Sequence, residues 1–116
     1  MLLAAILSRI DARVAYCEFV SARPTDSRTG AFSFGRARGV IEGVWGALHI
    51  PLQFITPPVW KRLANIPAGT EHKDTARVRA IAKWPRHAQL FARKLDCNRA
   101  EAALIALAGI ARERPN

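Results

Sequence analysis

Only two stretches of this 116-residue chain read as β-strand, residues 13–20 and 50–56, and helical periodicity flanks both. Strands that alternate with helices belong in a parallel sheet, because a parallel pair needs a crossover long enough to hold a helix. The order α-β-α-β-α-α-α therefore predicts an α/β protein with few strands. Residues 13–20 alternate, with Val14, Tyr16, Glu18 and Val20 on one side and Ala15, Cys17 and Phe19 on the other. Residues 50–56 are short and apolar. Two strands do not make an ordinary α/β sheet, so the pattern predicts that further strands are missing or come from another chain.

Apolar spacing and local stop signals place the helices. Leu3, Ile6, Leu7 and Ile10 put residues 2–10 in the back half of an amphipathic helix, and residues 21–29 have the composition of an exposed loop. Ser33 is read as the cap of a helix over 34–48, with Val40, Ile41, Val44, Trp45 and Leu48 on its apolar side. Gly35, Gly39 and Gly43 recur every fourth residue, which implies close packing onto the sheet or onto a second helix. Pro57 and Pro58 open a short helix over 59–64. A Pro/Gly loop covers 65–70, a helix runs over 72–83 until Pro85 breaks it, and the last helix covers 98–112. The whole, 1–116, is read as a single domain.

Eighteen Lys and Arg against nine Asp and Glu give a formal charge of +9, which favours a polyanionic partner. Between Thr56 and Ala100 there are ten Lys or Arg and three acids, so the cations concentrate in the second half. Lys61, Arg62, Lys73, Arg77 and Arg79 are the expected phosphate contacts, each with a solvated helix surface as its alternative. Trp60 and Trp84 read as packing residues. Cys17 and Cys97 fit no metal-ligand spacing; Cys17 is expected to be buried, and a reduced, cytoplasmic chain is the simplest inference. The apolar opening is too short to cross a membrane and lacks a signal-peptide layout, so no membrane partner is expected.

Glu18 stands near the C-terminal end of an otherwise apolar strand, where α/β sheets bind ligands and where a carboxylate is costly to bury unless paired. Asp96 and Glu101 form a second acidic group. On spacing alone, Asn98 followed by Glu101 is a capping box for the last helix. The competing reading has Asp96 and Glu101 converge with Glu18 on divalent cations, which relieve the repulsion among carboxylates.

Four segments carry a family resemblance: Tyr16-Cys17-Glu18-Phe19-Val20-Ser21-Ala22-Arg23-Pro24, Phe32-Ser33-Phe34-Gly35-Arg36 with Gly39, Thr56-Pro57-Pro58-Val59-Trp60-Lys61, and Asp96 through Arg99-Ala100-Glu101-Ala102. Together they resemble RuvC-type Holliday-junction resolvases, most of all the phage and proteobacterial branch, over residues 6–110. The resemblance implies a ribonuclease-H-like fold and a homodimer that nicks four-way DNA junctions with two Mg²⁺ ions, or Mn²⁺ in their place. It implies that Glu18 bridges the metals and that Glu101 is the last acidic ligand. Asp96 is the remaining ligand by that match, although the family's usual third position falls on the neutral Asn98. It further implies that Lys61 faces the scissile phosphate, that Lys73 contacts DNA, that Phe19 distorts the junction, and that the helix over 34–48 contributes to the dimer interface.

The family's first strands, with an Asp-x-Gly motif that supplies another ligand, have no counterpart here. The expected fold is thus an N-terminally truncated ribonuclease-H-like domain with few strands, weak metal binding and little cleavage. The uncovered edge of the 13–20 strand is expected to pair or swap with another copy. Two functions follow: a structure-specific DNA endonuclease of the resolvase lineage, or a non-catalytic DNA-binding or assembly module derived from one.

Overall fold

The computed structural model of the chain describes residues 2–67 and 73–114. The elements run α1 (Leu2–Leu7), β1 (Ala15–Glu18), α2 (Arg28–Ala47), β2 (Leu52–Ile55), α3 (Pro57–Leu63), α4 (Lys73–Lys83), two 3₁₀ segments (Pro85–Phe91 and Lys94–Asp96) and α5 (Cys97–Glu113). β1 and β2 pair in parallel as a two-stranded sheet, so the fold is mixed α/β and mostly helical. The expected element order is the observed one, with every strand shorter than its periodicity suggested.

Three local expectations are corrected. The second helix begins at Arg28, not at residue 34, and its cap is Ser27, whose Oγ accepts the Gly30 N–H at 2.9 Å. Arg23 N–H donates to Asp26 Oδ2 at 2.7 Å just before, closing the turn that delivers the chain to that cap. Both serines suit a cap; the one used is Ser27, and the opening turns of α2 lie in solvent, with Phe32 72% exposed. At the last helix, Asn98 is no cap: α5 starts at Cys97, and Asp96 is the residue before it. The stretch after Pro85 is not a plain break but two 3₁₀ turns.

Packing divides the chain into two units, one of Met1–Ala15 with Phe19–Phe54 and one of Tyr16–Glu18 with Ile55–Asn116. In the first, Leu7, Ala15 and Val44 are buried, while Val40, expected on the apolar side of α2, is 42% exposed. Close packing of the Gly35, Gly39 and Gly43 face within the chain is not realised: a Cβ at any of the three would meet nothing within 4 Å. The chain leaves α2 through His49 at φ 56°, a left-handed residue of the kind that ends helices.

The second unit holds the larger core: Ile55, Trp60, Ile66, Ala76, Ala80, Phe91, Ala100, Leu104, Ile105 and Ala108, with Trp84 and Tyr16 packed against it. Ala76 and Ala80 on α4 and Ala100 and Ala108 on α5 are small enough for the two helices to pack closely. Cys17, expected to be buried, is half-buried. Gly109 is a position where no side chain fits, because a Cβ there would run into the Tyr16 ring.

Gly109→Ala is expected to cost about 1–3 kcal/mol in urea unfolding, since the methyl must displace the Tyr16 ring. Gly39→Ala, in open space on an exposed helix face, is expected to gain about 0.5–1 kcal/mol in the same measurement.

Candidate nucleic-acid interface

The second unit carries most of the residues singled out by sequence. β1 ends on Glu18, and α3 follows β2 directly because Pro57 and Pro58 suit a helix's first turn. Trp60 on α3 is 1% exposed, and its indole Nε1–H donates to Glu18 Oε1 at 3.0 Å. Trp60 is therefore a packing residue, as its type suggests, and also the polar partner of the strand carboxylate. Lys61, next in sequence, places Nζ 5.8 Å from the Trp60 ring centroid. Lys61 and Arg62 line an open depression of about 690 Å³, walled by Pro57, Pro58 and Pro67.

Asp96 is 3% exposed. The backbone N–H of Arg93 donates to its Oδ2 at 2.9 Å, and Arg93 Nη2 donates to its Oδ1 at 3.0 Å. Arg99 Nη1 adds a weaker attraction at 3.9 Å. The guanidinium hydrogen bond from Arg93, then the backbone bond from the same residue, hold the Asp96 carboxyl below its usual pKa. Asp96 is thus an ionised anchor that closes the 3₁₀ turn and leads into α5. A buried carboxylate of this kind has its positive charge supplied by arginine, so Asp96 as placed does not fit a divalent cation. Glu101 is half-buried in the early part of α5. Among the described residues no three His, Cys, Asp or Glu side chains group so that they could hold a metal ion.

Two further arginines serve the same segment. Arg77, expected to contact phosphate, has a side chain only 15% exposed and pairs with Asp74 at 2.6 Å. Its Nε donates to Phe91 O at 3.0 Å and its Nη2 to Ala92 O, so it caps the carbonyls that end the first 3₁₀ segment. Arg99 Nη1 donates to Leu90 O at 3.1 Å. Arg62 and Arg79 are exposed, and the Lys73 side chain lies outside the described residues.

Phe19 belongs to the first unit and is 42% exposed. The Arg38 guanidinium lies 4.6 Å from the Phe19 ring centroid and 4.5 Å from that of Phe54, and the two rings meet edge to face at 5.8 Å. Arg38 also donates to Val20 O at 3.1 Å and pairs with Glu42. Sequence reasoning passed over Arg38, Phe54, Arg93 and the polar role of Trp60. The Arg93-x-x-Asp96-x-x-Arg99 spacing was a usable signal, since such residues are neighbours on a helical turn.

Comparison with protein-family models finds none that matches the chain, and comparison with curated proteins finds no match either.

Trp60→Phe removes the donor to Glu18 and leaves part of the buried indole volume empty, and is expected to cost at least about 2 kcal/mol in urea unfolding. Because the Asp96 pKa is lowered by folding, its contribution to stability is full above the ordinary carboxyl pKa of about 4. It is lost as pH falls through the lower folded value. Chemical unfolding followed from about pH 5 to about pH 2 is expected to show this loss in the native chain and a flatter dependence in Asp96→Asn.

Proposed function

We propose that this chain is a DNA-binding domain of the RuvC-type resolvase lineage that recognises branched DNA through the cationic surface of its second unit. The single observation that carries the reading is the coupling of Glu18 to α3. Trp60, buried and bonded to Glu18, orients a helix whose next two residues, Lys61 and Arg62, line an open depression. Cations in an open concavity of a chain with net charge +9 suit a phosphate backbone. The motifs around Glu18, Trp60 and Glu101 add the resemblance, and with it a ribonuclease-H-like fold and a second copy as partner.

The same reading divides on catalysis. A nuclease of this lineage would draw on Glu18, Asp96 and Glu101 to hold Mg²⁺ or Mn²⁺ for phosphodiester hydrolysis, with Lys61 at the phosphate. The observation that favours a non-catalytic module is the Arg93–Asp96 pair, in which one of those carboxylates is already bonded to a neighbouring guanidinium. We therefore take binding without cleavage as the function of the chain. Among the described residues no helix is long and apolar enough to cross a membrane.

The test is a labelled four-way junction titrated with the purified chain at several salt concentrations, with and without Mg²⁺ or Mn²⁺. Saturable binding without nicking is expected. Replacing both Lys61 and Arg62 by Gln is expected to lower the slope of log K against log salt by about 2. Absence of binding at low salt overturns the reading. Nicking that requires the metal and disappears in Glu18→Gln replaces it with the nuclease.

A further inference from the structure

A lone leucine at a protein surface needs no explanation, but Leu95 differs in how it is presented. It is 80% exposed, more than any other large hydrophobic residue among those described. The turn that carries it is held from several sides. Arg93 and Asp96 close it through backbone and guanidinium hydrogen bonds, Arg77 caps Phe91 O and Ala92 O just before it, and Arg99 holds Leu90 O from the first turns of α5. A loop so fastened cannot fold its apolar tip back onto the core. Arg93 and Lys94, the two residues before Leu95, are exposed, as are Arg86 and Arg99 on the neighbouring segments. The feature is an exposed apolar side chain on a fastened turn, with exposed cations on that turn and on the segments either side of it in sequence.

We propose that Leu95 is a wedge that enters DNA at an interrupted base stack while the surrounding cations contact the phosphates. Apolar side chains that insert between base steps, supported by cationic contacts to the backbone, are an established way for proteins to hold distorted DNA. An intact duplex must be unstacked to admit the tip. At a branch point the stack is already broken, so insertion there avoids that cost, and the wedge discriminates branched from linear DNA. Rigidity matters because an ordered tip loses little conformational freedom on insertion. The inference rests on the DNA-binding reading and adds to it the element that supplies the preference for branches.

The experiment measures affinity of the full chain for a four-way junction and for a linear duplex of equal length, at one salt concentration, with 2-aminopurine at the junction's branch point. The native chain is expected to prefer the junction and to change the 2-aminopurine fluorescence as the leucine enters beside it. Leu95→Ala is expected to lose roughly tenfold or more in junction affinity, the worth of burying a leucine side chain. It should keep duplex affinity and lose the fluorescence change, with an unchanged thermal midpoint because the side chain is exposed. Leu95→Phe is expected to restore the preference. Equal binding of junction and duplex by the native chain overturns the wedge and leaves DNA binding standing. So does a Leu95→Ala variant that behaves as the native chain does. Binding of neither DNA overturns both readings. If Leu95→Ala abolishes binding to vesicles of phosphatidylserine and phosphatidylcholine while leaving junction binding intact, the tip belongs to a lipid surface and the wedge is overturned.

Discussion

The hydrogen bond from the Trp60 indole to Glu18 joins the sheet to the helical core of the second unit. Trp60 and Ile55 are the largest side chains withdrawn from solvent almost completely, and both lie where β2 turns into α3. A tryptophan buried this deeply has one polar atom to satisfy, and the nearest strand provides a carboxylate for it. The same bond gives Glu18 a partner, which an acidic residue in an apolar strand requires. Two costs are met by one contact, on the helix whose next residues, Lys61 and Arg62, line the open depression.

A second organising feature is the use of arginine as a fastener. Arg77, Arg93 and Arg99 all donate to carbonyls or to Asp96 within residues 90–96. Guanidinium suits this work because its donors form a fixed planar fork, able to cap several acceptors at once. The segment has little regular structure of its own, only two 3₁₀ turns, so its order depends on these side chains. Arg38 does comparable work in the first unit, lying over Phe19 and Phe54 while bonding Val20 O. Several of the chain's cations therefore hold the fold together, and of these Arg77 is the one largely withdrawn from solvent in the second unit, whereas Arg93 and Arg99 stay exposed while they bond.

Much of the architecture was legible in local pattern. Alternation at 13–20, the apolar run at 50–56, paired prolines at 57–58 and helical spacing in the last segment gave the right elements in the right order. Boundaries failed where two residues compete for one role. Ser27 and Ser33 both suit a cap, and the one used is Ser27, which directly follows the Arg23–Asp26 turn, a feature that no apolar periodicity marks. Asn98 and Glu101 had the spacing of a capping box, yet α5 already starts at Cys97, directly after Asp96, whose carboxylate accepts from Arg93 to close the preceding 3₁₀ turn. Within the chain, no described residue would meet a Cβ at Gly35, Gly39 or Gly43, whereas Gly109, which no repeat announces, sits against Tyr16.

Element order, parallel pairing and the sign of the surface field were readable from residues alone, because each depends on short-range periodicity or on a sum over composition. The roles of individual charges were not. Asp96 could cap, ligate or pair, and Arg77 could meet phosphate or a carbonyl; in the structure Asp96 pairs with Arg93 and Arg77 caps carbonyls, because packing brings those groups within about 3 Å. A charged side chain's task depends on the partner that burial leaves it, and that partner is often remote in sequence, as Trp60 is from Glu18.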